Sequence, residues 1–387
     1  MTVYHAELVK GISKNFQIDG QLIEAIPYGS GHINDTYLGR YRCAHGEKRF
    51  IHQWINHHVF KEPEKVMENI ERVTRYARQQ ISANGGNPDR QSLTLIPARD
   101  GRSFFRTEQG DYWRTYVFID GARSYDIAED LRHVYNSSRA FGDFQKLLSN
   151  LPGERLHETI PNFHHTRKRF EAFLQAVKAD PKKRAGSVKP EIEFILRREA
   201  DASRVIDLLE KGVIPERVTH NDTKLNNVLI DDISGAAVCV IDLDTMMPGT
   251  VLYDFGDMVR MGAATAAEDE PDLSRVGINL TLFDRLAQGY LDAASDFLTP
   301  AELDHLAFAG KLITFEQAIR FLGDYLNGDV YYKIHRPEHN LERARTQLKM
   351  VMQMEEKMEE MQAIVAKYSR NLLENNFSKQ DRFFPST

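Results

Sequence analysis

Cysteine is scarce in this chain. Its 387 residues include only Cys43 and Cys239, so a disulfide framework is excluded. Cys239 lies in the apolar run AAVCVI, where it reads as a small buried hydrophobe, and a reducing cytosol is the expected setting. Long hydrophobic runs are absent too. No stretch approaches the roughly 18 apolar residues of a membrane span, and the opening MTVYHAELVKGISKNF lacks a continuous apolar core of the signal-peptide kind. A soluble, cytoplasmic protein with no membrane partner is expected. Nor is there an excess of one charge. Lys and Arg number 50 against 56 Asp and Glu, a net charge of −6, with the signs interspersed. That balance offers no surface for nucleic acid. There is no internal repeat, and nothing in the sequence gives the oligomeric state.

What is present is a globular composition, 42% hydrophobic, in a chain long enough for two packed units. LIEAIPYG, NDTYLGRY and RFIHQWI read as short strands broken by glycine and proline. EPEKVMENIERVTRYARQQI reads as an amphipathic helix. Pro63 suits its first turn, and Val66, Ile70, Val73 and Ala77 keep a spacing of three or four. SLTLIPA, SFFRTE and YWRTYVFI read as three further strands. Strands around one helix predict a small sheet-rich unit over 1–118. From residue 126 the periodicity is helical, over 126–150, 163–178, 190–211, 280–297 and 300–327. A single long helix is predicted over 338–368; Glu355 and Gln362 break its heptad, so it is expected to pack on its own unit, 119–387. The fold class read from this pattern is α+β, with a small sheet-rich lobe followed by helices.

Chemistry concentrates in VTHNDTKLNNVLIDDISGAAVCVIDLD, residues 218–244. Two β-rich runs, NNVLI and AAVCVI, flank Ser234-Gly235. A two-residue turn there would set Leu229 opposite Val240 and Asn227 opposite Asp242, an amide oxygen beside a carboxylate. Just upstream, His220, Asp222 and Asn227 spell His-x-Asp-x4-Asn. Transfer of a phosphoryl group from a magnesium nucleotide needs a carboxylate to align the acceptor hydroxyl and oxygen ligands to hold metal against the phosphates. Asp222, Asn227 and Asp242 supply those parts in order, whereas a polar loop capping a hairpin would need none of them. Further on, VLYDFGDMVR contains Asp254-Phe255-Gly256, the triplet that carries a metal aspartate in protein kinases. Asp254 lies beyond the strand and beyond the MMPGT break, so a structural role behind the catalytic loop is expected for it.

These motifs resemble the aminoglycoside phosphotransferase and choline kinase branch of the protein-kinase-like fold. HNDTKLNN, VIDLD and YDFGD are similar to its catalytic loop, metal aspartate and trailing structural aspartate. YGSGHINDTY, THNDTKLNNVLID, VIDLDTMMPG and RFLGDYLNGDVYY resemble the N-acetylhexosamine 1-kinases within it. The resemblance implies a sheet-rich nucleotide-binding lobe over 1–118 and a helical catalytic lobe over 119–387. ATP and Mg2+ would be used, with a sugar phosphorylated on its anomeric hydroxyl. By position, Asp222 would be the base, Asn227 and Asp242 the metal ligands, and His220 and Asp254 structural. Gly29, Ser30 and Gly31 would turn over the phosphates, and the backbone of Tyr116 and Phe118 would meet adenine. His32, Asn34, Asp35, Arg320, Asp324 and Tyr331 are candidates for the acceptor, although Arg320 and Asp324, at i and i+4, can equally pair with each other.

One departure stands out. The fold's strand lysine, which binds the α- and β-phosphates, is replaced by Gln53. Lys61, Arg49 or His52 would have to substitute, or magnesium and the glycine turn would carry the nucleotide. The alternatives are a phosphotransferase for another small alcohol (an aminoglycoside, choline or homoserine), with the acidic AAEDEPDL as part of a cationic cage, and a non-catalytic pseudokinase.

Overall fold

The glycine and proline breaks become turns in a five-stranded antiparallel sheet. The computed structural model describes residues 2–29, 31, 33–128 and 130–380, with only the backbone described at 2–6 and 370–380. Helix α1 (Thr2–Ser13) precedes strands β1 (Gln21–Pro27), β2 (Asp35–Cys43) and β3 (Gly46–Ile55). Helices α2 (Pro63–Ala83) and α3 (Pro88–Gln91) follow, then β4 (Phe105–Arg106) and β5 (Tyr112–Val117). The strand order is β1-β2-β3-β5-β4.

Alternation along β3 sorts its side chains between two environments. Phe50 joins Tyr37, Tyr41 and Trp113 against Val9, Ile12 and Phe16. His52, on that same face, stacks beside Phe16 and Tyr41. Ile51 and Ile55 face the other way, toward Val66, Met67 and Ile70 of α2. Gln53 lies on this second face, and it is the face that looks across to the catalytic segment.

SLTLIPA does not form the expected strand: it contributes only isolated bridges, Leu95 to Tyr116 and Ala98 to Phe16. Pro97 has no N–H to extend a ladder there. SFFRTE keeps only the two residues of β4.

Helices dominate after β6 (Ala122–Arg123): α4 (Leu131–Leu148), α5 (Thr166–Ala179), α6 (Lys189–Leu196) and α7 (Glu199–Glu210). The segment that carries His220, Asp222 and Asn227 supplies β7 (Arg217–Thr219), β8 (Val228–Asp231), β9 (Ala237–Val240) and β10 (Met247–Gly249). Then come α8 (Val251–Gly262), α9 (Leu280–Ala294), α10 (Pro300–Asn327), α11 (His339–Glu356) and α12 (Met358–Gln380). The single helices expected over 190–211 and 338–368 are each two. The break before α7 frees Arg198 to pair with Glu355 at 2.6 Å, and Lys311 also reaches Glu355 at 3.1 Å. Glu355, one of the residues that spoil the heptad, is therefore an ion-pair partner.

Helix α10 is the centre of the helical part. Thr299 and Glu302 close a capping box at its start, and Gly328 ends it at φ 102°, a conformation that glycine adopts without a Cβ penalty. Phe315, Phe321 and Leu322 are fully buried along it, each contributing about 1.5–3 kcal/mol on leaving water. Both cysteines are free. Among the described residues no helix is long and apolar enough to cross a membrane.

Candidate active site

The loop between β7 and β8 is built on one buried carboxylate. Asp254, in the first turn of α8, accepts from the main-chain N–H groups of His220 at 2.9 Å and Asn221 at 2.7 Å, and from Gln145 Nε2 at 2.6 Å. Thr223 donates its hydroxyl to the Asp254 carbonyl at 2.6 Å, and the Thr223 N–H goes to Asp257 at 2.9 Å. Burial pushes the Asp254 carboxyl up, and His220 and these hydrogen bonds pull it back in part. Its carboxylate is taken up by main-chain N–H groups and by Gln145, the arrangement expected of a structural aspartate. Asn221 is held at φ 64°, a left-handed conformation that costs energy outside glycine. Its side-chain bonds to Thr245 and Thr219 keep it there. His220 lies behind the loop, with Nε2 2.9 Å from the Ile241 carbonyl and Nδ1 accepting from the Asp222 N–H at 3.3 Å.

So braced, the loop presents Asp222. Its side chain is 31% exposed, and Lys224 Nζ lies 3.0 Å from Oδ2. Asn227 donates its amide to the Asp222 carbonyl at 2.7 Å and to Oδ2 at 3.0 Å. Desolvation alone would raise this carboxyl. Lys224, His220 and the hydrogen bonds that Lys224 and Asn227 donate to the carboxylate outweigh it, so Asp222 sits below the usual carboxylate range and is ionised at neutral pH. With both amide hydrogens of Asn227 spent on Asp222, its Oδ1 is the atom left for a cation.

The β8–β9 register differs from the expected one. Val228 faces Val240 and Leu229 faces Cys239, with a bulge before Ile230 and Ala237. The turn is longer than two residues because Asp231 Oδ1 gathers the N–H groups of Ile233 and Ser234 and the Ser234 hydroxyl. The Ile241 N–H consequently bonds to the Asn227 carbonyl at 2.9 Å, so Asn227 lies opposite Ile241, one residue short of Asp242. Asp242 then takes φ 60°, ψ 60°, turning the chain out of the strand. Its carboxyl is pushed up to about 6 by desolvation, then by the carboxylates of Asp244 and Asp222; Lys224 and Arg114 offset this only in part. Clustered carboxylates with too little compensating charge are what a bound cation relieves. Among the described residues no three His, Cys, Asp or Glu side chains form a ready metal cage. Mg2+ does not require one, since it commonly takes one or two protein carboxylates and fills its octahedron with water and phosphate oxygens.

Other sequence candidates land differently. Ser30 and His32 lie outside the described residues. Gly29 has φ 81°, and a Cβ at Gly29 or Gly31 would meet nothing within 4 Å, which leaves the face of this turn open. Asn34 is not free for an acceptor: its Nδ2 donates to Asp244, and its Oδ1 takes the Asn56 N–H at 3.0 Å. Asp35 opens β2 opposite Trp54 and is exposed. At the expected hinge the main chain is partly engaged in the sheet. The Phe118 N–H donates to the Arg49 carbonyl at 3.1 Å, and Tyr116 pairs in the sheet with Ile51. Asp324 is fully engaged, accepting from the N–H groups of Val330, Tyr331 and Tyr332 and from Asn340 at 2.9–3.0 Å. It shapes the turn after α10 and does not pair with Arg320. Arg320 instead lies over the rings of Phe163, Tyr332 and Tyr331 at 5.4, 5.6 and 6.0 Å. The Tyr331 ring remains 63% exposed.

Sequence reasoning missed several residues of this region. Lys224 was visible in DTK, two residues after the aspartate. Arg114 and Asp244 carried no local signal. His164 and Glu316 lie far apart in the chain but bond at 2.8 Å, and His164 Nε2 reaches the Asn221 carbonyl at 3.2 Å.

A family model described as "Phosphotransferase enzyme family" matches residues 102–303. Among solved structures, a spectinomycin phosphotransferase in complex with ADP and spectinomycin superposes with a TM-score of 0.55 at 12% identity, covering 92% of this chain and 98% of that one. A microcompartment-associated aminopropanol kinase gives 0.54 at 15%, with 92% and 98% covered. Choline kinase from Cryptosporidium parvum Iowa II gives 0.52 at 16%, with 92% and 97% covered. At such identities the likeness is one of fold, the protein-kinase-like arrangement of a sheet-rich and a helical part.

Proposed function

This chain belongs to the phosphotransferase enzyme family, and from that premise we propose that it moves the γ-phosphoryl group of ATP onto the anomeric hydroxyl of an N-acetylhexosamine. The products are the sugar 1-phosphate and ADP. The observation that carries the phosphotransferase part is the half-exposed, ionised Asp222 flanked by Lys224 and Asn227, with Asp242 within electrostatic reach.

In this reading Asp222 accepts a hydrogen bond from the acceptor hydroxyl, aligns its oxygen with the γ-phosphorus and takes the proton as the bond forms. A carboxylate held below its normal range is a weak base. Anomeric hydroxyls are more acidic than ordinary alcohols, and positioning matters more than basicity for so loose a transition state. Lys224, already 3.0 Å from Asp222, is placed to meet charge developing on the transferring oxygens. Asn227 Oδ1 and Asp242 would hold Mg2+, which when bound neutralises the phosphates.

A neutral sugar as acceptor is supported by two features. Arg320 with its ring of Phe163, Tyr331 and Tyr332 gives hydrogen-bond donors and aromatic faces, as polyhydroxylated ligands need. The acidic stretch that might have caged a cation is spent elsewhere. Glu268 pairs with Arg260, Asp269 with Arg336 and His339, and Glu270 with Arg275.

The test is a transfer assay with labelled ATP on N-acetylglucosamine, N-acetylgalactosamine, choline, homoserine and kanamycin. Label is expected on the two sugars, in acid-labile form and with loss of the reducing end. Transfer to the cationic acceptors alone would refute the sugar reading.

A further inference from the structure

The cleft face of β3 has Gln53 where this fold carries a lysine. Lys61 lies exposed in the loop before α2. Arg49 is exposed and bonded to Asp120. His52 is fully buried on the opposite face, between the Tyr41 hydroxyl at 2.8 Å and Thr115 Oγ1 at 2.9 Å, so none of the three stands in for it. The acids of α2 are also committed outward: Glu64 to Tyr112, Glu68 to His157 and Glu71 to Arg75.

The residue directly across the ladder from Gln53 is Arg114, and it is 1% exposed. Its Nε donates to Gln53 Oε1 at 3.0 Å. Its Nη1 donates to Asp244 Oδ1 and lies 3.9 Å from Met67 Sδ on α2. Asp244, 3% exposed, takes the Asn34 amide on its other oxygen. One carboxylate thus receives the sheet on one side and the segment following the glycine turn on the other, two residues from Asp242. Gln53 in turn donates to Thr36 Oγ1 at 2.9 Å, closing the network onto β2.

We propose that the buried Arg114–Asp244 pair takes the place of the strand lysine by position: Asp244 is the hub, held by Arg114, that sets the phosphate-binding turn against the metal-binding aspartate. The inference rests on the phosphotransferase reading and deepens it. Arginine suits the position better than lysine would. Its planar fork reaches Gln53, Asp244 and the α2 surface at once, whereas an ammonium serves one direction. A buried pair of this kind is a poor device for stability alone, because desolvating both ions roughly cancels their attraction. Its use is geometric: two walls that meet only across the cleft are held in one register. Arg114 and Asp244 are positioning residues, acting through the turn and through Asp242.

The experiment compares the wild-type protein with Arg114→Lys, the double variant Arg114→Met/Asp244→Asn, and that double variant with Gln53→Lys added. Removing both charges together avoids leaving one buried ion unpaired, so the double variant is expected to melt close to wild type. Calorimetry with ATP is run with Mg2+ and with a chelator. The double variant is expected to bind ATP on the order of tenfold more weakly in both conditions, because the turn and Asp242 lose their common register. Its KM for ATP rises while the acceptor KM holds. Gln53→Lys restores part of the nucleotide affinity, and Arg114→Lys retains part of it. A double variant that binds ATP like wild type would overturn the proposal. So would failure of Gln53→Lys to restore any binding. If wild type itself binds no ATP, the phosphotransferase reading falls first, so the two failures are distinguishable.

Discussion

The two walls of the cleft are held in opposite ways. On the helical side, the loop carrying Asp222 is braced from behind by Asp254, through short hydrogen bonds to main-chain N–H groups. Most hydrogen bonds of this frame join residues of 218–257, with Gln145 and His164 as partners from outside it, and the candidate site side chains stand forward of it. On the sheet side there is no such frame. Gln53, Arg114 and Asn34 come from separate strands and turns, and they are organised by Asp244, a residue of the opposite wall. One wall is self-supporting, and the other takes its geometry from its neighbour. The candidate chemistry thus stands on the wall that holds its own geometry.

The largest effect expected is on the self-supporting wall. Asp222→Asn should lower kcat by roughly 10²–10⁴, with ATP affinity by calorimetry within twofold of wild type (about 0.4 kcal/mol). A variant retaining most of its turnover would mean that the aligned carboxylate is another. Next comes the frame. Asp254→Asn sets an amide against donors that now meet a carboxylate, and should reduce the unfolding free energy by on the order of 3 kcal/mol, read by denaturant titration. A change under about 1 kcal/mol, the ordinary cost of a surface substitution or less, would show that the loop does not depend on this brace.

Asp242→Asn sharpens the contrast in the other direction. It should abolish the Mg2+-dependent gain in ATP affinity while raising the melting temperature of the metal-free protein, because it removes a carboxylate crowded by Asp244 and Asp222. A lowered melting temperature would contradict the repulsion described here. The smallest effect belongs to the far face of the sheet. Burial lowers His52 to about 3, against roughly 6.5 for an unfolded histidine. Below pH 6.5 the unfolded chain gains a proton that the folded chain refuses, so stability falls as pH falls. Between pH 7 and 5.5 that group alone should cost about 1 kcal/mol. The difference should vanish in His52→Gln, measured by urea titration at both values, with ATP binding untouched. An unchanged pH dependence in the variant would place the acid sensitivity elsewhere.

Legibility in the sequence follows the same divide. His220, Asp222, Asn227 and Asp242 could be read because the loop and hairpin join them within 23 residues, where turn chemistry and alternation dictate what meets. Even there the register slipped by one, since Asp231 captured its own turn and lengthened it. The literal Asp-Phe-Gly was separable from the metal position by its distance from the hairpin, although the N–H groups that occupy Asp254 were not visible. The acceptor side was read less well. Arg320 and Asp324 share a helix face, yet Asp324 is taken by the turn after α10, and a single sequence shows no such competition for a carboxylate.

Local order along the chain, then, determined which residues are candidates for the chemistry: short-range periodicity and turn preferences act over a few residues and are written wherever those residues stand. The partnership of Arg114 with Gln53 and Asp244, spanning 61 and 130 positions, was decided only by tertiary structure. Strand pairing and closure of the cleft bring those groups together, and a buried charge takes whichever partner folding delivers to it.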